Sequence, residues 1–328
     1  MSDVPRRQFL VSSIALALLA GARAEAQPRT HRMAMLFATS AIATSHLQKA
    51  LFARLAEFGY REGQNLLVER RYAEGRYERL PALAAELVAL KPDVFFAGAS
   101  QPVLAAAKAT STIPIVFVVV TDPVGLGVVK SLGRPGSNAT GLSTQSIEIQ
   151  SKRLQLLKEV FPSASRIAVI HNPLNVVEGP ILSMIKETSA VLKLTTRVLE
   201  ATSEAELLSA FALLESERPD VLYIVESPLT YIHRTRVVEF ANNRRLPAVY
   251  SYPEFTEAGG LMSFSFSPSE HYRAAATYID KILKGAKPSE LPVQQPMRFE
   301  LVLNLKTAKA QGVKFPPVIL LRADRVIE

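Results

Sequence analysis

The segment Lys91-Pro-Asp-Val-Phe-Phe96 has a close counterpart later in the chain, Arg218-Pro-Asp-Val-Leu-Tyr223. Each begins with a basic residue and a turn-forming Pro-Asp pair and continues as a short apolar run. Apolar runs of this length, without alternating polar residues, are typical of strands buried on both faces of a parallel sheet. The pair therefore suggests that one α/β unit occurs twice.

Two further pairs of apolar runs occur in the same order. His31-Arg-Met-Ala-Met-Leu36 matches Ser165-Arg-Ile-Ala-Val-Ile170, and Ile113-Pro-Ile-Val-Phe117 matches Leu246-Pro-Ala-Val-Tyr250. One such match is compatible with chance. Three matches in the same order, at nearly constant separation, predict an internal repeat.

Helical patterns lie between the predicted strands. Leu47, Leu51 and Leu55 fall on one helical face, and similar apolar stripes occur at residues 80–88 and, in the second copy, at 181–192 and 207–214. Alternation of strands and helices favours a parallel sheet covered on both faces. The predicted fold class is therefore α/β, with two doubly wound parallel-sheet lobes and a ligand cleft between them.

The segment after the second copy does not repeat. It contains a predicted strand at 261–264, a helix from Ser269 to about Lys284 and another strand at 299–303. We expect this segment to return to the first lobe and then to the second, which gives three chain crossings. The predicted lobes are 29–141 plus 267–292 and 142–266 plus 293–328.

The N-terminus has the pattern of an export signal. Arg6 and Arg7 precede an apolar run, Val11 to Ala20, and small residues around Ala24 and Ala26 form a cleavage site. The run is too short to span a bilayer as a helix. Residues 1–26 are predicted to be a signal peptide of the twin-arginine type, with an ordinary secretory signal as the alternative. The mature protein is expected in the periplasm and not embedded in the membrane.

Composition excludes several kinds of site. The 328 residues include no cysteine, so disulfides, thiolate metal sites and a lipidated cysteine anchor are excluded. The five histidines lack metal-site spacing, and neither a dinucleotide fingerprint nor a phosphate loop occurs. Basic residues are dispersed among acidic ones, which disfavours a nucleic-acid partner. We therefore expect no metal, cofactor or catalytic residue; a two-lobed α/β enzyme is the weaker alternative.

Ligands of open parallel sheets bind beyond the carboxyl ends of the strands. Hydroxyl and amide groups there suit a carboxylate, Asp122 and Glu226 suit an ammonium group, and Tyr252 offers an apolar surface. A zwitterion with a hydrophobic tail fits this set, although each residue alone also suits a loop cap or an Asx turn. The predicted ligand-binding residues are Ser40, Ser100, Gln101, Thr121, Asp122, Asn172, Glu226, Ser251 and Tyr252.

Longer motifs resemble those of a known family, the ABC-transporter substrate-binding proteins of the tryptophan/tyrosine type, which have a type I periplasmic-binding fold. The resemblance extends from about Arg32 to Glu328. Its main motifs are Gly59-Tyr-Arg-Glu-Gly-Gln-Asn65, Thr121-Asp-Pro-Val-Gly125, Ser131-Leu-Gly-Arg-Pro-Gly-Ser-Asn-Ala-Thr-Gly-Leu142, Gly259-Gly-Leu-Met-Ser263 and Phe299-Glu-Leu-Val-Leu-Asn304.

The resemblance implies an extracytoplasmic solute-binding protein of an ABC importer. Such a protein closes on a small solute, here best interpreted as an amino acid of the aromatic class, and delivers it to an inner-membrane permease and its ATPase. By the same resemblance, Asn138 and Thr140 join Thr121 and Asp122 as expected contacts of the first lobe. The alternative is a periplasmic ligand sensor that presents its closed form to a membrane sensor.

Overall fold

The computed structural model describes residues 30–328, and the predicted signal peptide lies outside them. Five parallel strands form the first sheet in the order β2-β1-β3-β4-β5. Both of its faces are buried at its centre, which explains why the inner strands β1, β3 and β4 are apolar without alternation. The strands are β1 (His31–Phe37), β2 (Leu66–Tyr72), β3 (Val94–Gly98), β4 (Ile115–Thr121) and β5 (Ala139–Thr144).

Helices cover both faces of the first sheet. One face packs against α1 (Ala41–Glu57) and α10 (Pro268–Leu283), which also contact each other. The other face packs against α2 (Leu80–Ala89) and α3 (Ser100–Ala109). The first sheet and these four helices form the first lobe.

The second sheet has seven strands in the order β7-β6-β8-β9-β10-β11-β12. Its first five strands are parallel, whereas β10 and β11 pair in antiparallel fashion. The strands are β6 (Arg166–His171), β7 (Thr195–Glu200), β8 (Val221–Ile224), β9 (Ala248–Tyr250), β10 (Met262–Ser265), β11 (Glu300–Asn304) and β12 (Arg325–Ile327).

Helices also cover both faces of the second sheet, and together they form the second lobe. On one face lie α4 (Glu148–Val160), α5 (Glu178–Val191), α11 (Leu305–Gln311) and α12 (Pro317–Arg322). On the other lie α6 (Glu204–Glu217), α7 (Pro228–Ile232), α8 (Arg234–Asn243) and α9 (Pro253–Glu257). Within residues 30–328, no helix is both long and apolar enough to cross a membrane.

The strand orders reveal the repeat directly. In the second sheet, β7-β6-β8-β9-β10 is arranged as β2-β1-β3-β4-β5 is in the first. The three sequence matches thus align β1 with β6, β3 with β8 and β4 with β9. The predicted two-lobed α/β architecture is confirmed. The antiparallel pair at β11 is an addition of the C-terminal segment, since that strand enters the sheet from the first lobe rather than through a crossover helix.

Three described connections join the lobes: between β5 and α4, between β10 and α10, and between α10 and β11. Gln294 in the third connection pairs with β5, donating from its backbone to the Gly141 oxygen at 3.0 Å and accepting from the Ser143 nitrogen at 2.8 Å. Gly141 has φ 150°, and a Cβ there would lie 2.0 Å from the Phe117 oxygen, so only glycine fits. The limits of the two lobes by residue stay a prediction.

Candidate ligand-binding site

A cavity of about 100 Å³ lies between the lobes at the carboxyl ends of both sets of parallel strands. Both lobes supply its polar groups. Those of the first lobe are Thr39, Thr44, Ser100, Gln101 and Thr121, and those of the second are Asn175, Glu226 and Ser227. Among the described residues that line the cavity, Glu226 is the only one with a charged side chain. The site is therefore mostly neutral, with one carboxylate.

The first-lobe wall is built around the start of α3. Ala99, which precedes this helix, has φ 89° and ψ 171°, a region of backbone space that is essentially reserved for glycine. The Ser100 hydroxyl accepts a hydrogen bond from the Thr121 nitrogen at 3.2 Å, which ties α3 to the end of β4. The first backbone N–H groups of a helix suit an anionic group such as a carboxylate. Here they lie beside the cavity.

A second irregularity in the first-lobe wall occurs in β4. Its pairing with β5 shifts register between Phe117 and Val120, and Val119 within this bulge has φ 58°. A β-branched residue rarely adopts a positive φ, and bulges redirect side chains locally. Val119 lines the cavity as a result. The backbone strain of this wall is thus concentrated at two residues that face the site.

Aromatic rings provide much of the apolar lining. Phe37, Tyr231, Tyr252 and Tyr272 all contribute to the cavity wall. The Tyr231 and Tyr252 rings meet edge to face with centroids 5.8 Å apart. Burial raises the pKa of both hydroxyls well above the usual value, so these tyrosines are neutral at physiological pH. Such a wall suits an apolar or aromatic group, with phenol hydroxyls as hydrogen-bond partners.

Glu226 forms the charged part of the second-lobe wall. It is 9% exposed, and its Oε2 atom accepts a hydrogen bond from the Ser251 hydroxyl at 2.7 Å. Arg153 Nη1 lies 3.4 Å from the same oxygen. Burial opposes the charge of Arg153, but Tyr223 and Glu226 outweigh this effect, and the pKa of Arg153 is raised. The carboxylate that faces the cavity is therefore backed by a buried cation.

A second buried carboxylate stabilises the loop before α5. Glu178 is 1% exposed and accepts hydrogen bonds from the Asn172 nitrogen at 2.5 Å and from Asn175 Nδ2 at 3.0 Å. Its Oε2 lies 3.5 Å from His171 Nδ1. Burial raises the pKa of Glu178, although the hydrogen bonds from His171 and Asn172 oppose that shift. Glu178 thus fixes the loop that presents Asn175 to the cavity.

Side-chain hydrogen bonds join the two lobes directly. Gln101 Nε2 donates to Asn175 Oδ1 at 2.6 Å, and both side chains are buried. Elsewhere, His46 Nε2 of α1 lies 3.2 Å from the Tyr231 hydroxyl and 3.3 Å from Glu254 Oε1. The structure is therefore a closed form, because these bonds are lost when the lobes separate.

The structure brings five of the residues predicted from the sequence together around the cavity: Ser100, Gln101, Thr121, Glu226 and Tyr252. It places the other six outside the cavity lining: Ser40, Asp122, Asn138, Thr140, Asn172 and Ser251. Among these, Ser251 hydrogen bonds to Glu226 and so supports the wall from behind.

Local hydrogen bonds explain where the outlying side chains point. Ser40 caps α1 by accepting from the Ala43 nitrogen, and Asn172 accepts from the Leu174 nitrogen. Asn138 donates to the Thr110 and Ile113 oxygens, and the Thr140 hydroxyl donates to the Leu291 oxygen. These are capping, turn and loop-fixing bonds.

Asp122 also forms a turn, because its Oδ1 accepts from the Gly125 nitrogen at 2.8 Å. It is exposed and lines a separate cavity of about 280 Å³ beside the lobe connections. Its φ of 45° belongs to the same turn. The two acidic residues that the sequence suggests as ammonium partners therefore lie in different cavities.

Several site residues were missing from the sequence prediction. Tyr272, which lines the cavity, and Arg153, which lies behind Glu226 outside the lining, are both helical residues. The helical pattern does not reveal which helical face points toward the cavity. Asn175 and Tyr231 were nearly predicted. Asn175 lies about one helical turn beyond Asn172, and Tyr231 about one turn beyond Ser227, and both Asn172 and Ser227 follow strands. Extending the search by one turn after each strand would have found these two.

Comparisons with known proteins identify relatives of this chain by sequence and by fold. The chain is 28% identical over 266 residues to a tyrosine-binding protein of Clostridioides difficile strain R20291, covering 80% of this chain and 75% of that protein. A solved conserved domain protein from Vibrio cholerae O1 biovar eltor is 29% identical with a TM-score of 0.84. That alignment covers 91% of this chain and 100% of the other.

A solved ABC domain in complex with L-Trp, from Streptococcus pneumonia, is 25% identical with a TM-score of 0.83. It too covers 91% of this chain and 100% of the other. These similarities confirm the type I periplasmic-binding fold. A family model described as ABC transporter substrate binding protein matches residues 38–327, nearly the whole described chain. The chain therefore belongs to the ABC transporter substrate binding protein family.

Proposed function

We propose that this protein is the extracytoplasmic receptor of an ABC importer for an aromatic amino acid. It captures the solute between its lobes and delivers it to an inner-membrane permease and the ATPase of that permease. No covalent step is needed. The single observation that carries the proposal is the composition of the cavity: one carboxylate, the start of a helix and several aromatic rings, contributed by both lobes.

Each feature suits one part of an aromatic amino acid. Glu226 is placed to accept hydrogen bonds from an ammonium group, and the N–H groups at the start of α3 suit a carboxylate. Phe37, Tyr231 and Tyr252 provide faces and edges for an aromatic side chain. The tyrosine-binding relative and the neighbour with bound L-Trp support the same solute class.

Closure is the proposed mechanism of capture. Contacts such as Gln101 to Asn175 form only when the lobes meet, and a solute that touches both lobes favours the closed form by its contacts to each. The permease then recognises the closed form. The expected export signal supports a periplasmic location, although it lies outside the described residues.

The first experiment is calorimetric titration of the purified protein with L-tyrosine, L-tryptophan, L-leucine, L-glutamate, L-arginine and glucose. The proposal predicts saturable binding of the aromatic amino acids and at least about tenfold weaker binding of the others. Glutamate, arginine and glucose would leave polar groups unpaired against the aromatic rings, and leucine has no ring to stack on them. Uptake of the bound solute by cells should fall when the gene is disrupted. Binding of glucose alone, or unchanged uptake, would refute the proposal.

A further inference from the structure

A fully buried guanidinium lies behind the charged side chain of the cavity wall. Arg153 on α4 is 1% exposed, and its Nη1 atom lies 3.4 Å from Glu226 Oε2. Removing a guanidinium from water costs several kcal/mol, which nearby groups have to offset. The surroundings of Arg153 therefore indicate what it does.

The partners of Arg153 come from its own helix, from strands β8 and β10 and from the residue after β9. Nη1 lies 3.1 Å from Gln150 Oε1 and 3.4 Å from both the Tyr223 and Ser251 hydroxyl oxygens, and Nε donates to the Phe264 oxygen at 3.1 Å. These four partners are uncharged. In the described part of the chain, the ion pair of Arg153 is with Glu226 alone. The two charges thus compensate each other beneath the cavity.

The two oxygens of Glu226 have different surroundings. Oε2 accepts from Ser251 and faces Arg153. None of the hydrogen bonds among residues 30–328 uses Oε1, while the side chain itself lines the cavity. Arg153 and Ser251 therefore hold the carboxylate by one oxygen and leave the other for a ligand.

From this arrangement we infer that Arg153 is a positioning residue that sets the charge preference of the site. It forms an ion pair with Glu226 and makes the wall neutral overall, so that the cavity selects a zwitterion over an amine cation with the same side chain. This inference rests on the proposed function, from which it takes the ligand to be an amino acid. The state of Glu226 in the free protein is testable without any ligand.

Other titratable groups near Glu226 do not replace Arg153. Tyr223 on β8 and Tyr252 after β9 both interact electrostatically with Glu226, and Tyr272 of α10 interacts with Tyr252 from the first lobe. Glu254 of α9 also interacts with Tyr252 and adds negative charge. Burial raises the pKa of Tyr223 to about 12, and those of Tyr252 and Tyr272 are raised too, so the tyrosines are neutral near pH 7.

The ligand-free test uses infrared difference spectroscopy near neutral pH on the wild type, Arg153→Gln, Arg153→Lys and the double variant Arg153→Gln/Glu226→Gln. A buried carboxylate without a cation takes up a proton. Relative to the wild type, we expect an additional protonated-carboxyl band in Arg153→Gln that is missing from Arg153→Lys and from the double variant. Glu178, whose pKa burial also raises, is present in all four proteins and cancels in the difference. A spectrum of Arg153→Gln like that of the wild type would overturn the inference.

The ligand test is calorimetry with L-tyrosine and tyramine in buffers of different ionisation enthalpy. Wild type should bind L-tyrosine without proton release. It should bind tyramine at least about tenfold more weakly, because the Arg153–Glu226 pair is neutral overall and offers no net negative charge to compensate the positive charge of tyramine. Arg153→Gln should release up to about one proton per L-tyrosine and lose affinity by up to about tenfold for each pH unit of acidification. Arg153→Lys should restore both wild-type results.

The two proposals fail differently. If the wild type does not bind L-tyrosine while the infrared result is as expected, the proposed solute is wrong and the role of Arg153 stands. If Arg153→Gln binds L-tyrosine without proton release and with an unchanged pH profile, the role of Arg153 is wrong and the solute stands. Should Arg153→Gln not fold, Arg153→Lys and the wild type decide: proton release by either one contradicts the inference.

Discussion

The first-lobe wall of the cavity offers polar groups without charge, whereas the second-lobe wall offers a carboxylate backed by a buried cation. Ser100 and Gln101 stand at the start of α3 after the strained Ala99. Glu226 lies between the cavity and Arg153, and the Ser251 hydroxyl donates a hydrogen bond to it. Although the lobes repeat one fold, one presents a helix start and hydroxyls to the cavity and the other presents a charge.

The contrast is sharpest between Asp122 and Glu226. Both follow a buried strand closely, and both suit an ammonium group by sequence alone. Asp122 is exposed and accepts from the Gly125 nitrogen in a turn, while Glu226 is buried at the cavity. An acidic residue after a strand therefore indicates a ligand contact only if its side chain is not already bound to a nearby backbone N–H group.

The largest expected effect is on solute affinity in Glu226→Gln. This substitution preserves shape but removes the negative charge that faces the ammonium group and Arg153. We expect the Kd for L-tyrosine to rise at least about 30-fold, in line with the loss of one member of a buried charged pair. Asp122→Asn is the matched control and should change Kd by less than about twofold, because exposed groups away from the ligand contribute little. An equal loss of affinity for L-tyrosine in both variants would show that Glu226 has no special role compared with Asp122.

The next largest effect is expected for the hydrogen bond across the lobes. Gln101→Ala removes the amide that donates to Asn175. It should weaken L-tyrosine binding about fivefold, mainly through faster dissociation, since one buried hydrogen bond contributes about 1 kcal/mol.

The control for Gln101→Ala is Gln311→Ala, in which a similar amide bond, to Asn242, lies within the second lobe. Gln311→Ala should lower the melting temperature while leaving the dissociation rate of L-tyrosine unchanged. Stopped-flow fluorescence and a thermal melt measure the two quantities. A similar increase in dissociation rate in both variants would show that the bond across the lobes has no special role in closure.

Glu178 gives a pH-dependent prediction. Burial raises its pKa in the folded protein, so between the unfolded and folded pKa values the native state binds more protons than the unfolded state. The free energy of unfolding therefore falls as pH rises through this window. Glu178→Gln removes this ionisable group and also one acceptor oxygen of the loop. Its melting temperature relative to the wild type should therefore be higher near neutral pH than in acid, because only the wild type loses stability through this window.

Thermal melts of the wild type and Glu178→Gln over a pH series test this prediction. Glu217→Gln serves as the control, because that carboxylate forms an ion pair at the surface with Arg197. A gain in melting temperature for Glu178→Gln that does not depend on pH would contradict the linkage to its ionisation.

The smallest effect concerns the strained backbone of the first-lobe wall. Ala99 occupies a region of φ and ψ that favours glycine, so Ala99→Gly should raise the free energy of unfolding by about 1 kcal/mol. Ala107→Gly within α3 should lower it by about 0.5–1 kcal/mol. Urea denaturation measures both. Two changes of the same sign would mean that the backbone at Ala99 is not strained.

The fold was largely predictable because it depends on patterns that repeat. Apolar runs such as residues 94–98 and 221–224 are buried on both faces, which leaves a strong signature in the sequence. The antiparallel pairing of β11 was not predicted, since it depends on how the chain returns from the first lobe. That return is a tertiary feature with no local pattern.

The site was predictable only where topology alone brings residues to the cleft. Ser100, Gln101 and Glu226 line the cavity because the start of α3 and the end of β8 face it. Asn138 has a side-chain amide like that of Gln101, but this amide donates to the backbone oxygens of Thr110 and Ile113. Arg153 has the sequence pattern of an ordinary solvent-exposed helical arginine, and only its contacts with Tyr223 and Phe264 of the second sheet reveal its burial.

The most direct test of the account is a crystal structure of the protein grown with L-tyrosine. We expect the ligand between the lobes, with its ammonium nitrogen about 3 Å from Glu226 Oε1, its carboxylate at the start of α3 and its ring beside Tyr231 and Tyr252. A ligand bound beside Asp122 in the separate cavity, or held by one lobe with Glu226 unengaged, would contradict the account.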